Sequence, residues 1–259
     1  MTRSGARPQH LFDHWVTVRR RLLAVRHLTI FLDFDGSLVP LRAHPEQVWL
    51  DRGGRQLLGR LARHPRVTLV LISGRQRADL RKRVNVPAAR YLGLHGLEHR
   101  NGTFARPGTS RLMRVARRML AERLRHLPGI WVEDKGPVFV AHYRGASAAT
   151  ARRARQIVRE TLDWLEPDLR VLPGKKVWEV VPQELKGKGA AVLRLLEELP
   201  HPTLSIFVGD DRSDEPAFAA LRGELTVRVG RPRRTWAHFR LRNPREVRTF
   251  LERLQAEIT

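Results

Sequence analysis

The residues with the most chemical content begin at Asp33. The segment Ile30-Phe31-Leu32-Asp33-Phe34-Asp35-Gly36-Ser37-Leu38 is an apolar run that ends in two carboxylates, a glycine and a hydroxyl. Read as a strand, its side chains alternate between faces, so Asp33 and Asp35 point the same way. Two like charges at that spacing are costly unless a proton or a cation is shared between them. A hard divalent ion such as Mg2+ takes one or two carboxylates together with phosphate oxygens of a substrate. Gly36 lets the backbone turn away sharply, and Ser37 can donate to a phosphate. The set suits phosphoryl transfer through an aspartyl-phosphate. The bland alternative is an Asp-Gly turn after a buried strand.

Three later segments weigh against that alternative. Val67 to Ile72 is a second apolar run and ends in Ser73-Gly74-Arg75. A hydroxyl just beyond a strand, with a small residue beside it, can contact a phosphate oxygen. Lys188-Gly189-Ala190-Ala191 opens an apolar-periodic helix through Val192, Leu193, Leu195, Leu196 and Leu199. A lysine there places a compact positive charge beside a phosphate and its nucleophile. Leu204 to Val208 is a third apolar run, followed by Gly209-Asp210-Asp211-Arg212-Ser213-Asp214-Glu215, with carboxylates again where a metal site needs them. In an open α/β sheet, ligands bind outside the carboxyl ends of the strands, and all four clusters fall there.

The elements that must hold these residues have an α/β rhythm. Strands are expected near 28–34, 67–72 and 91–95, with helices near 51–64 and 76–83. The pattern resumes with a helix near 188–199, strands near 204–208 and 225–229, a short helix near 214–221 and a last helix near 244–257. In between, the rhythm changes. Ser110 to Leu127 reads as a helix, and Ile130–Asp134 with Val138–Tyr143 as a hairpin through Gly136-Pro137. Ser147 to Leu165 reads as a helix with Ser147 as N-cap. Leu169–Leu172 and Val177–Val181 pair through Pro173-Gly174. The expected fold is α/β: a Rossmann-like core with a mostly parallel sheet, carrying an inserted smaller α+β (αββαββ) domain. The expected divisions are an N-terminal helical extension at 1–27, core at 28–108, insert at 109–180 and core again at 181–259. Within the extension, Leu11 to Leu23 reads as an amphipathic helix.

Composition narrows the function class. The chain has 259 residues and a net charge of +23. That charge attracts anions, but the arginines are spread along the chain and no aromatic ladder interleaves with them, so no specific nucleic-acid partner is expected. There is no cysteine, hence no disulfide and no thiolate chemistry. No apolar run reaches the length of a membrane span, and the first 26 residues lack a secretory signal's apolar core, so a cytoplasmic protein without membrane contact is expected. Six of the 49 basic residues are lysines, and five of those six lie between 135 and 188. Lysine and arginine are not interchangeable at a tight site, which marks those five positions. His10, His14, His44, His64, His126, His201 and His238 form no ligand spacing. Trp15, Trp49, Trp131, Trp164 and Trp236 read as packing residues rather than a sugar-stacking platform. No dinucleotide or P-loop glycine motif occurs.

In these segments the chain resembles the haloacid-dehalogenase (HAD) phosphatase superfamily, whose four motifs match Asp33-Phe34-Asp35-Gly36-Ser37, Ser73, Lys188 and Gly209-Asp210-Asp211 with Asp214. Ser37 stands where that family usually has Thr, and the hydroxyl is kept. Gly-Asp-Asp-x-(Thr/Ser)-Asp-Glu is similar to the form found in trehalose-6-phosphate phosphatases. The insert resembles that family's cap, whose motifs Glu-x-Lys, His-Tyr-Arg and Gly-Lys-x-x-x-Glu match Glu133 and Lys135, His142 and Arg144, and Lys175 and Glu179. His95-Gly96-Leu97-Glu98 resembles its His-Gly-x-Glu segment. The resemblance runs from about 28 to 254 and implies Mg2+-dependent hydrolysis of trehalose 6-phosphate. It implies that Asp33 is the nucleophile, Asp35 the acid and base, and Ser73 and Lys188 the holders of phosphoryl oxygens. Asp33, the Asp35 backbone carbonyl and Asp210 would bind metal, assisted by Asp211 and Asp214. Substrate contacts would come from Ser37, Gly74, Arg75, His95, Gly96 and Glu98, and on the cap from Glu133, Lys135, His142, Arg144, Lys175 and Glu179. Lys186 competes with Lys188 for the motif lysine. A small-molecule sugar phosphate is the expected substrate and a trehalose-phosphate synthase a candidate partner. The alternatives are a phosphatase for another sugar or polyol phosphate, such as sucrose or glucosylglycerol phosphate, or a non-catalytic binding protein of the same fold.

Overall fold

The computed structural model describes residues 6–42, 44–99, 102–103, 109–165, 168–174, 176–183, 185–199 and 203–259. The chain begins β1 (Gln9–His10), α1 (Trp15–Leu23), β2 (His27–Asp33), α2 (Arg52–Arg63), β3 (Val67–Ile72), α3 (Arg77–Val84), β4 (Arg90–Leu92) and β5 (Glu98–His99). There follow β6 (Gly102–Thr103), α4 (Thr109–Leu124), β7 (Trp131–Asp134), β8 (Phe139–His142), α5 (Ala148–Asp163), β9 (Leu169–Gly174) and β10 (Val177–Pro182). The last stretch is α6 (Gly187–Glu197), β11 (Thr203–Gly209), α7 (Glu215–Ala220), β12 (Leu225–Val229), β13 (Phe239–Leu241) and α8 (Pro244–Ile258). These elements form two compact units, one of Met1–Asn101 with Gly187–Thr259 and the other of Gly102–Lys186.

In the first unit, seven strands form one sheet in the order β1-β13-β12-β11-β2-β3-β4, with every neighbouring pair parallel. A parallel sheet must be covered on both faces, and alternation along β2 shows how the two covers divide. Leu28, Ile30 and Leu32 pack into one core with Leu11, Val18, Leu22, Leu57, Leu61, Val247, Phe250 and Leu254 from α1, α2, α8 and the segment before α1. Phe31 faces the other way, with Val70, Ile72 and Phe207, against Val192 and Leu195 of α6 and Phe218 of α7. Asp33 shares parity with Phe31, so its side chain emerges on the side that α6 covers.

The N-terminal segment departs from the helical extension expected. Gln9–His10 pairs in parallel with β13 as an edge strand, Leu11–His14 is a 3-10 turn, and only from Trp15 is the chain α-helical. β1, β5, β6 and β13 were not expected at all: two or three residues are too few for an alternating pattern to register. Among the tryptophans read as packing residues, Trp15 and Trp236 do border the two cores, whereas Trp49, Trp131 and Trp164 are 44%, 55% and 87% exposed.

The second unit is a four-stranded antiparallel sheet in the order β7-β8-β10-β9. Helix α4 packs on β7 and β10 and against α5. Phe139, Ala141, Trp178 and Val180 are buried at alternate positions of β8 and β10. Ser147 caps α5, its hydroxyl accepting from the Thr150 amide at 3.1 Å. Most element boundaries differ from those expected by one to three residues, and the unit runs Gly102–Lys186 rather than 109–180. β8 ends at His142, so Tyr143 and Arg144 lie beyond the strand, and β9 continues to Gly174. The β9–β10 turn then carries Lys176, whose φ of 67° is left-handed. Lys175 and His201 lie outside the described residues.

Candidate active site

The four core clusters converge because β2, β3 and β11 are neighbours running the same way, so their carboxyl ends sit side by side. Lys188, in the first turn of α6, is 2% exposed, and its Nζ donates to Asp33 Oδ1 and Asp214 Oδ1, both at 2.6 Å. The Ser37 hydroxyl donates to Asp33 Oδ2 at 3.1 Å and lies 3.5 Å from Asp210 Oδ1. Burial opposes a charged lysine, but Asp214 and Asp33 more than offset it and hold the Lys188 ammonium well above lysine's ordinary range. Lys186, the competing lysine, is exposed.

Asp33, Asp210 and Asp214 each offer a carboxylate oxygen within 4.8 Å of the others. Burial pushes the Asp33 carboxyl well up despite the attraction of Lys188. Burial, followed by the charge of Asp214, pushes Asp210 up to about 6. Three carboxylates against one ammonium leave an excess of negative charge when all are ionised, and a divalent cation would neutralise it. The backbone allows for this crowding: Gly36 has a φ of 88°, and a Cβ there would collide with the Asp210 carboxylate. The donor set therefore fits a hard cation. Asp211 has a different place. It is exposed, and its side chain accepts from the Asp214 amide while Asp214 Oδ2 accepts from the Asp211 amide at 2.9 Å. This reciprocal capping box fixes the turn that delivers Asp214.

Asp35 does not join the acidic trio. Both its oxygens are taken by Arg75, at 2.7 Å from Nε and from Nη2. Arg75 also donates to Asp79 at 3.0 Å, Asp79 accepts from Arg83 at 2.8 Å, and Arg83 donates to the Glu46 and Val48 carbonyls. Asp79 and Arg83 were not anticipated, although the four-residue steps from Arg75 to Asp79 and from Asp79 to Arg83 are readable as a charge ladder. Ser73 is 2% exposed, its hydroxyl accepting from the Arg75 amide and its carbonyl from the His95 amide. His95 has a φ of 56°, and its ring lies where a Cβ on Gly74 would come within 2.8 Å. Gly96 has a φ of 98° and touches α6 so closely that a Cβ would strike Ala191. Glu98 Oε2 accepts from the Arg77 amide at 2.6 Å, at the start of α3, where Gln76 makes no side-chain cap.

In the second unit four of the expected sugar contacts, Glu133, Lys135, His142 and Glu179, lie close to one another. Glu133 Oε2 is 2.9 Å from His142 Nε2 and 3.9 Å from Lys135 Nζ. The hydrogen bond from His142 is the foremost cause of a Glu133 carboxyl held below its ordinary range. Glu179 lies near enough to act on Glu133 electrostatically and is 9% exposed. Arg144 is exposed in the turn after β8.

Comparison with known proteins adds to this picture. Residues 31–240 match the family model described as trehalose-phosphatase. The chain is 32% identical to the trehalose-phosphate phosphatase of Mycobacterium tuberculosis, over 91% of this chain and 63% of that protein. It is 29% identical to the probable trehalose-phosphate phosphatase D of Arabidopsis thaliana, over 88% of this chain and 67% of that one. The chain thus spans under two thirds of the length of the mycobacterial protein. In fold it is similar to the C-terminal domain of Candida albicans trehalose-6-phosphate phosphatase, with a TM-score of 0.82 at 22% identity, over 98% of this chain and 100% of that one.

Proposed function

The chain belongs to the trehalose-phosphatase family, and we propose that it hydrolyses trehalose 6-phosphate to trehalose and phosphate. The observation that carries this reading is Lys188 buried between Asp33 and Asp214 beside Asp210, an arrangement suited to a phosphoryl group and its cation. Asp33 attacks phosphorus as the bond to the sugar oxygen breaks, and Asp35 gives that oxygen its proton. Water then attacks the aspartyl-phosphate, Asp35 takes the water's proton, and phosphate leaves with Asp33 restored. Both oxygens of Asp35 are engaged by Arg75, so proton delivery requires Asp35 to exchange Arg75 for the sugar oxygen. Asp79 already shares Arg75 and keeps the guanidinium paired during that exchange. Ser73 and Lys188 offset the charge on the phosphoryl oxygens. Asp33, Asp210, Asp214 and the Asp35 carbonyl would hold Mg2+, which supplies neutralisation of phosphoryl charge when bound. Glu133, Lys135 and Glu179 recognise sugar hydroxyls through charge-assisted hydrogen bonds.

The test is phosphate release from a panel of sugar phosphates, with and without Mg2+, beside Asp33→Asn. Trehalose 6-phosphate turned over far ahead of the panel, with loss in the variant and without the metal, is the expected result. Metal-dependent release from another sugar phosphate would retain the chemistry and overturn the substrate. No release from any would favour a binding protein.

A further inference from the structure

Trp131 and His142 are directly opposed residues on β7 and β8, and their rings lie 3.7 Å apart and 2° from parallel. This is an exposed tryptophan, 55% accessible, so burying apolar surface does not account for the arrangement. What the stack does is restrict one neighbour. An imidazole rotates about two torsions, and a parallel ring at contact distance excludes rotamers that tilt it. In the orientation that remains, His142 Nε2 reaches Glu133 Oε2 at 2.9 Å, and the same oxygen is 3.9 Å from Lys135 Nζ. Trp131 and Glu133 are two residues apart on β7 and therefore share a face of the sheet. Indole, imidazole, carboxylate and ammonium thus follow one another along a single hairpin.

We propose that Trp131 is a positioning residue for sugar recognition: by stacking on His142 it fixes the imidazole that orients Glu133, and so sets selectivity for the disaccharide. The inference rests on the function proposed above and goes beyond it, because it gives a role to a side chain outside every motif that the sequence offers. Holding Glu133 in advance removes an ordering cost that binding would otherwise bear. A cross-strand pair with no functional role would stabilise the hairpin and leave substrate recognition untouched.

The experiment measures kcat and KM for trehalose 6-phosphate and for p-nitrophenyl phosphate, with thermal midpoints, in the full chain and its variants. Trp131→Ala is expected to raise KM for trehalose 6-phosphate about tenfold, the weight of one disordered charge-assisted hydrogen bond. Its selectivity over p-nitrophenyl phosphate should fall by a similar factor. Trp131→Phe, which keeps a flat ring, should restore KM to within about twofold. In a His142→Ala background, Trp131→Ala should add little, because its effect runs through the imidazole. Trp164→Ala, at a site 87% exposed, is the control expected to match wild type. A Trp131→Ala variant with a lowered midpoint but wild-type KM and selectivity would overturn the proposal, as would an undiminished effect in the His142→Ala background. If wild type prefers another sugar phosphate, the substrate reading fails separately, and the same variants on that substrate decide the role of Trp131. If wild type turns over no sugar phosphate at all, both readings fall.

Discussion

Lys188 links two buried carboxylates, and its neighbours set what a substitution there will do. Lys188→Met removes the charge and leaves Asp33 and Asp214 facing one another, so turnover should fall by roughly a hundred- to a thousandfold. Lys186→Ala, two residues away at an exposed position, should keep its turnover in the same assay. Asp33→Asn should abolish phosphate release and keep a cooperative unfolding transition, since the amide preserves the shape of the side chain. The acidic trio also makes a prediction about pH. Asp210 is raised from an ordinary value of 3.8 to about 6. A raised carboxyl means that the native state binds its proton more tightly than the unfolded chain does. Its contribution to stability is therefore present at low pH and lost as pH rises through the window from about 4 to about 6. Mg2+ competes with that proton, so the rise in thermal midpoint on adding Mg2+ should be larger at pH 7 than at pH 5. An equal rise at both values would show that the trio is not where the cation binds.

At the level of elements, the site depends on close approaches between backbone segments. The 3-10 turn at Leu94–Gly96 touches α6 at Ala191, and that helix carries Lys188 three residues earlier. Gly96→Ala combines a collision with a left-handed φ, and should destabilise the fold by about 1–3 kcal/mol in urea unfolding. Because the collision pushes on α6, turnover should fall as well. The helix caps give a contrasting case. Ser147→Ala removes the cap of α5 in the second unit and should cost about 1 kcal/mol, with kcat unchanged. Glu98 also belongs at this scale. Its carboxylate meets the amide at the start of α3, so its position beside His95 and Gly96 is explained by holding an element as well as by any contact with substrate.

For the molecule as a whole, the net charge of +23 is a field that attracts anions, the proposed sugar phosphate among them. KM for a sugar phosphate should rise several-fold between about 0.05 and 0.5 M NaCl, since the Debye length shrinks well below 10 Å across that range. The same change should leave kcat nearly constant, because Lys188 and its partners are buried and poorly screened. The N-terminal segment is part of the first unit's architecture. Leu11, Val18 and Leu22 are fully buried in its core, and β1 extends the sheet beyond β13. Among the described residues, no helix is long and apolar enough to cross a membrane.

Periodicity in the sequence was enough for the strands of the parallel core, because long buried strands such as β2, β3 and β11 leave largely apolar runs, each interrupted by one hydroxyl residue, that end at the reactive residues. It placed Asp33, Asp210, Asp214 and Lys188 among the candidates too, since a strand's carboxyl end and a helix's first turn are local features, but it did not separate them from Asp35, Asp211 and Lys186. What each carboxylate does was not local. Asp35 and Asp33 are two residues apart, yet one is held by Arg75 from beyond β3 and the other by Lys188 from α6. Asp210 and Asp211 are adjacent, yet one faces the trio and the other caps a turn. Trp131 reads in sequence as one more packing residue, and only the pairing of β7 with β8 sets it against His142. Apart from the Asp211 cap, these assignments depend on partners 40 to 173 residues away, or on the register between strands, and neither is encoded in the spacing of one segment.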